Sequence, residues 1–312
     1  MKVFEQASYF QRFGNFLLEY DERLERGHFV MNRFPNGELH IQLRDQIQKK
    51  DCLIIGTIAP PETNLFEVML IGDALKRNGA HFIKLFLPYL AYARQDKPEP
   101  GSGGGLSHIG ALLGAAEIDE VITIDVHSRL DPRAIGLPLR SISAAPLVAE
   151  QVRSLKLDKY TLVAPDEGAI DRAELVAGLL GYKKPVTYLK KKRVDGLIHR
   201  EIVGATEKKA VIIDDLLDTG STLLSACKIL QSQGVEQIVI FITHGLFTGS
   251  AWKQLFDLGV TALYVSNSCP SMMHRRHEKV HLMRLEALIP QLLTNTPLTK
   301  ELVYETPPTH TY

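Results

Sequence analysis

Three carboxylates, Asp214, Asp215 and Asp218, fall within five residues directly after the apolar run Ala210-Val211-Ile212-Ile213. Thr219-Gly220-Ser221-Thr222 follows, and then a helical pattern over 221–233. The apolar run predicts a buried strand that ends at the two adjacent acids. The carboxyl edge of a parallel sheet is where such strands deliver ligand-binding groups. Hydroxyls, a glycine backbone and the first turn of a helix together make a cradle for an anion, because free N–H groups and the helix dipole both favour negative charge. Paired carboxylates beside a phosphate cradle suit ribose hydroxyls or a magnesium ion. The competing reading is an N-cap at Thr219 or Ser221 with its acids on a solvated loop. Three acids crowded behind a buried strand argue for the ligand.

The elements that must hold this segment alternate along the chain. Strand cores are predicted at 53–55, 81–87, 121–124, 161–163, 186–189, 210–213, 238–242 and 262–265, and helices at 65–78, 106–116, 169–180 and 221–233. Near-continuous Val/Ile/Leu strands separated by helices indicate parallel sheets covered on both faces. Leu75 to Gly79 before one strand and Leu230 to Gly234 before another share a helix-ending glycine, a hint of internal duplication. The length of 312 residues accommodates two such halves meeting near residue 145.

Composition narrows the function classes. With 45% hydrophobic and 23% charged residues the chain has enough apolar surface to fold, so extended disorder is excluded. Lys+Arg and Asp+Glu both number 36, and the basic excess of a dedicated nucleic-acid binder is missing. No apolar run reaches the ~18 residues of a membrane span. Glu5, Gln6 and Arg12 interrupt the start of the chain where a secretion signal needs an apolar stretch. Cys52, Cys227 and Cys269 are odd in number and far apart, which disfavours a disulfide framework or zinc cage and suggests a reducing cytoplasm.

The 214–222 segment resembles the phosphoribosyl pyrophosphate (PRPP) loop shared by type I phosphoribosyltransferases and PRPP synthetases. Five more segments separate the two groups. Arg33-Phe34-Pro35-Asn36-Gly37-Glu38 resembles the R-F-x-D-G-E of ribose-phosphate pyrophosphokinases, and Pro88-Tyr89-Leu90-Ala91-Tyr92-Ala93-Arg94-Gln95-Asp96 their P-Y-x-x-Y-A-R-Q-D. Ile124-Asp125-Val126-His127-Ser128 resembles their strand ending in D-x-H. Ala164-Pro165-Asp166-Glu167-Gly168-Ala169 with Arg172 resembles S-P-D-x-G-G-x-x-R, and Lys191-Lys192-Arg193 their catalytic K-x-R. All lie in family order.

The resemblance implies an α/β fold of two phosphoribosyltransferase-like domains, each a mainly parallel sheet flanked by helices. Their expected extents are 1–145 with the ATP motifs and 146–294 with the PRPP loop, followed by a loosely held tail over 295–312. It implies magnesium-dependent transfer of the pyrophosphoryl group of ATP to the 1-hydroxyl of ribose 5-phosphate, giving PRPP and AMP. In that reaction Lys191 and Arg193, on a mobile basic segment after a strand, meet the charge developing at the transferred phosphate. Phe34 stacks on adenine, Asn36 and Glu38 bond the base, and Arg94, Gln95 and Asp96 hold ATP. His127 and Asp166, each just past a predicted strand, contact the ATP-bound metal. Asp214 and Asp215 take the ribose hydroxyls, and Asp218, Thr219, Gly220, Ser221 and Thr222 the 5-phosphate. The hairpin bearing Phe34 reaches a neighbouring subunit's site in this family, which implies a homo-oligomer built from dimers, up to a hexamer.

Some positions depart from the family pattern. Asn36 stands where Asp is usual, Lys97 is followed by Pro98-Glu99 and a glycine-rich stretch instead of further arginines, and Glu167 and Ala169 are atypical. These leave room for a paralogue acting on another ribosyl acceptor such as ADP-ribose. A type I phosphoribosyltransferase and a non-catalytic regulatory subunit are the other rivals. His274-Arg275-Arg276-His277 has metal-like spacing, but no acid completes a site, so it reads as a basic turn.

Overall fold

Apolar runs without polar alternation are buried on both faces, and here they build two separate seven-stranded sheets. The computed structural model describes residues 1–94, 100–126, 131–157, 159–194, 197–271, 277–293 and 303–304, and only the backbone of 132, 191–194, 197–200, 292 and 303–304. The chain divides into two compact units, Met1–Ile142 with Leu288–Tyr312, and Ser143–Ala287.

In the first unit the elements run β1 (Lys2–Glu5), α1 (Gln11–Tyr20), β2 (Glu25–Arg26), β3 (Phe29–Arg33), β4 (Leu39–Leu43), β5 (Asp51–Ile55), α2 (Thr63–Arg77), β6 (Phe82–Leu87), α3 (Gly105–Ala115), β7 (Glu120–Ile124) and β8 (Leu139–Ile142). The second unit carries α4 (Ala145–Ser154), β9 (Thr161–Ala164), α5 (Ile170–Leu180), β10 (Thr187–Val194), β11 (Leu197–Val203), β12 (Lys209–Leu217), α6 (Ser221–Ser232), β13 (Gln237–Gly245), β14 (Val260–Ser266) and β15 (Val280–Met283). The chain then returns to the first unit with α7 (Pro290–Leu293) and β16 (Val303–Tyr304). Arg140 Nη1 donates to the Gln291 carbonyl at 3.0 Å, and β16 pairs antiparallel with β8. The rest of the expected tail lies outside the described residues.

The sheet orders are β16-β8-β7-β6-β5-β1-β2 and β11-β10-β9-β12-β13-β14-β15, parallel except for β16 and β11. Connectivity repeats between them. β1, β2, β5, β6, β7 and β8 take the same places in the first sheet as β9, β10, β12, β13, β14 and β15 in the second. The caps noted in the sequence repeat too. Gly79 and Gly234 each donate to the third carbonyl back at 2.9 Å, and Ala80 and Val235 to Leu75 and Leu230 at 3.1 Å. Each unit has its own core. In the first it gathers around Ile54, Leu85, Leu87 and Val121, and in the second around Ile212, Ile240, Leu263 and Trp252.

Two strands run further than the sequence suggests. β12 continues through Asp214 and Asp215 to Leu217, because β13 pairs with it along the whole stretch. β10 continues through the basic segment to Val194, zipped to β11 with Lys191 opposite Arg200 and Arg193 opposite Ile198. The basic segment expected to follow the strand therefore has strand backbone itself.

Candidate functional site

Strand order reverses between β9 and β12. β9 leads through α5 to β10 on one side, while β12 lies on the other. At such a switch point the crossover helices diverge to opposite faces and leave a crevice beyond the carboxyl ends of the strands. β12 pairs with β9 only from Ala210 to Ile212, so its next residues overrun the neighbour and project along the crevice. Asp214 and Asp215 stand on that overrun, and Asp166 lies just past the end of β9. Both sides of the crevice thus present the carboxylates singled out in the sequence.

The acids are buried, and their charge is partly balanced. Asp214 and Asp215 are 9% and 6% exposed. Arg172, near the start of α5, reaches both: Nη1 is 3.8 Å from Asp214 Oδ1 and Nη2 is 3.4 Å from Asp215 Oδ2. The Asp215 N–H donates to Asp214 Oδ1 at 2.9 Å. Burial, and next the Asp215 charge, push the Asp214 carboxyl well above the usual carboxylate range, while Arg172 pulls it back and Asp166 adds to the rise. Asp166 Oδ1 accepts the Gly168 N–H at 3.0 Å, which caps the short turn before α5.

Beyond the acids the chain turns into α6 at Gly220, the N-cap, with φ +90° and ψ 1°. That left-handed conformation is open to glycine and strained for other residues. A Cβ there would lie 3.0 Å from Trp252 Cα, so the loop also rests on backbone. Trp252 is held in turn by Phe247, edge-on at 4.9 Å, and by Phe256. The loop's rear is fastened by Leu246 N–H to the Leu217 carbonyl at 2.8 Å and by Thr248 N–H to the Asp218 carbonyl at 3.0 Å. Thr219 and Ser221 are exposed with their hydroxyls 3.4 Å apart. The first N–H groups of α6, which a helix leaves without intrahelical partners, open in the same turn. This is a rigid anion cradle beside a paired-acid shelf.

The structure therefore brings together Asp166, Asp214, Asp215, Asp218, Thr219, Gly220, Ser221 and Thr222. Arg172 joins them as a group to which the sequence assigned no role; its signal was an arginine six residues after Asp166, on the first turn of a helix. Of Lys191 and Arg193 only the strand backbone is described, and Gln95, Asp96 and His127 lie outside the described residues. Phe34, Asn36 and Glu38 sit at the tip of the β3–β4 hairpin in the first unit. Phe34 N–H and Glu38 carbonyl close the turn at 2.8 Å, and Asn36 Oδ1 accepts the Glu38 N–H at 3.2 Å. Phe34 is 50% exposed and leans on His40 at 5.2 Å between ring centroids. Arg94 is exposed in the turn after β6.

A cavity of about 430 Å³, lined by Lys159, Tyr182, Lys183, Lys184 and Glu207 among others, lies at the opposite edge of the second sheet. The carbonyl end of α5 opens beside it, and its lysines offset that negative pole. No described helix is long and apolar enough to cross a membrane. Among the described residues no group of three or more His, Cys, Asp or Glu is placed to hold a metal ion. Cys52, Cys227 and Cys269 are buried free thiols.

Comparisons with known proteins agree on one family. Residues 18–104 match the model for the N-terminal domain of ribose phosphate pyrophosphokinase, and residues 185–295 match the phosphoribosyl synthetase-associated domain. The chain is 30% identical over 248 residues to a ribose-phosphate pyrophosphokinase of Ralstonia nicotianae, covering 78% of each. It is 30% identical over 254 residues to ribose-phosphate pyrophosphokinase A of Dictyostelium discoideum, covering 80% of each. A crystal structure of phosphoribosylpyrophosphate synthetase from Mycobacterium smegmatis superposes with a TM-score of 0.81 at 24% identity, covering 94% of this chain and 97% of that one. That likeness bears out the expected α/β architecture of two phosphoribosyltransferase-like sheets.

Proposed function

The chain belongs to the ribose-phosphate pyrophosphokinase family, and from that premise we propose that it transfers the pyrophosphoryl group of ATP to the 1-hydroxyl of ribose 5-phosphate, giving PRPP and AMP. The observation that carries this reading is the crevice between β9 and β12, where a buried acid pair abuts an anion cradle. Carboxylates accept hydrogen bonds and cannot donate them when ionised, so Asp214 and Asp215 suit the vicinal hydroxyls of a ribose. The 218–222 turn suits the 5-phosphate, because N–H groups and hydroxyls converge there. With both ends of the sugar held, its anomeric hydroxyl is presented for in-line attack on the β-phosphorus. The nucleophile belongs to the substrate, so the protein's task is orientation and charge stabilisation.

A hard divalent cation fits the donors present. Asp166 stands at the end of β9 beside the buried acids, and its Oδ2 is not the atom that accepts the Gly168 N–H. Magnesium is commonly held by one or two carboxylates together with water and substrate phosphate, without a dedicated protein cage. Asp166, and His127 by resemblance, would hold it, and it would supply neutralisation of the triphosphate charge. Lys191 and Arg193 would meet the charge that develops on the transferred group. Arg94, Gln95 and Asp96 would hold ATP, with Phe34, Asn36 and Glu38 on the adenine of a neighbouring subunit. The reading thus carries with it a homo-oligomer.

The test is product analysis with ATP, magnesium and either ribose 5-phosphate or ADP-ribose. AMP and PRPP should form with ribose 5-phosphate. AMP released only with ADP-ribose would assign another acceptor, and no AMP with either would refute a pyrophosphokinase.

A further inference from the structure

The two units provide a comparison within one chain. β1 and β9 are both four residues long, each followed by a three-residue 3-10 turn, Ser8–Phe10 and Glu167–Ala169, and then at once by α1 and α5. β1 pairs Lys2 with Cys52 of β5, and β9 pairs Thr161 with Ala210 of β12. β5 and β12 are followed by α2 and α6 at the same spacing. The frames align without a gap, so each position of one switch point has a counterpart in the other.

At those counterparts the chemistry differs as a set. Asp214 and Asp215 correspond to Gly56 and Thr57, Asp166 to Ala7, and Arg172 to Phe13. Phe13 is buried and packs edge-on against Phe86 at 6.2 Å. The crevice of the first unit is stoppered by Gln6, whose Oε1 accepts the Thr57 N–H at 2.7 Å. Its Nε2 donates to the Asn64 carbonyl and to Glu67 Oε2, both at 3.0 Å. The same fold thus closes perfectly well with an aromatic ring at the position of Arg172. The arginine is not required by this strand–turn–helix frame; it accompanies the acids.

We propose that Arg172 is the positioning residue of the ribose-5-phosphate subsite, its guanidinium bridging Asp214 and Asp215 and fixing both carboxylates toward the sugar. This rests on the pyrophosphokinase reading of the 214–222 segment. The bridge is made by two different nitrogens, 3.8 Å from one acid and 3.4 Å from the other, with all three side chains largely buried. A planar fork can meet two carboxylates at once, whereas an ammonium is a single point that cannot duplicate that reach. Without the fork, neighbouring buried acids repel, and one takes up a proton or turns away. Either change removes an acceptor from the sugar and leaves the ATP contacts alone.

The experiment is steady-state kinetics of full-length wild type, Arg172→Lys and Arg172→Gln with ATP and ribose 5-phosphate, alongside calorimetric titration with ribose 5-phosphate and urea melting. Arg172→Gln should raise KM for ribose 5-phosphate about a hundredfold and Arg172→Lys about tenfold, from the loss of two or one charge-assisted contacts. KM for ATP should stay within about twofold in each, with kcat changed less than KM. The lysine variant should also regain most of any lost stability while its KM for ribose 5-phosphate stays about tenfold above that of wild type. If Arg172→Gln does not fold, the lysine variant decides. A folded Arg172→Lys with unchanged KM for ribose 5-phosphate, or with both KM values raised equally, overturns the positioning role alone. A wild-type chain that neither binds ribose 5-phosphate nor releases AMP overturns the functional reading, and the role of Arg172 with it.

Discussion

Gly220→Ala tests the claim that the anion cradle is rigid and rests on backbone. Two costs can be worked from the structure. The first is conformational: at φ +90° an L residue is in the left-handed region, which costs about 1–2 kcal/mol. The second is steric. The new Cβ meets Trp252 Cα at 3.0 Å and Trp252 Cβ at 3.1 Å. Trp252 is 1% exposed and wedged between Phe247 and Phe256, so it gives way only by disturbing the core, for about 1–3 kcal/mol. The sum is about 2–5 kcal/mol. Gly234→Ala is the control, because it sits at φ +86° with nothing within 4 Å of the added carbon and bears the conformational cost only. Trp252 is the sole tryptophan and lies under the cradle, so its fluorescence during urea unfolding reports on the second unit. Gly220→Ala should lower the urea midpoint by about 1 M or more at an unchanged slope, about twice the shift of Gly234→Ala. It should also weaken binding of ribose 5-phosphate. Equal shifts for the two variants would mean that the loop relaxes freely, and the buttress argument would fail.

Asp214→Asn should stabilise the second unit while weakening the sugar site. A carboxyl whose folded pKa is raised, chiefly by burial, binds protons more strongly when folded, so its contribution is complete below the ordinary value of 3.8 and declines as pH rises through the raised one. The variant's urea midpoint should therefore exceed that of wild type by an amount that grows as pH rises above about 4; a pH-independent difference would refute the assignment. Lys191→Ala should cut AMP formation about a hundredfold or more with the urea midpoint unchanged, and retained turnover would remove Lys191 from the chemistry. Burial pushes the thiols of Cys227 and Cys269 up to about 12 and that of Cys52 up to about 11, so a disulfide reagent at pH 8 should label none before unfolding. Rapid stoichiometric labelling of the native chain would contradict that burial.

Much of this site was legible in the residues because its signals are local. An apolar run that ends in acids and turns through Thr219-Gly220-Ser221 encodes strand, cradle and helix within one short window, and strand periodicity, glycine caps and turn dipeptides are set by adjacent residues. The Pro35-Asn36-Gly37 hairpin was readable for the same reason. Strand ends were not. β12 and β10 overrun their apolar cores because β13 and β11 supply hydrogen-bond partners that no local pattern reveals. Likewise β1 passes unnoticed in isolation, since its four residues are too few to show a pattern until a sheet receives them. The chain's own order determined which chemical groups exist and which local turns bear them. Only the folded sheet decided that Arg172 lies against both acids and that Phe13, at the matching place in the other unit, packs against Phe86, because strand order and register bring distant residues within reach of one another.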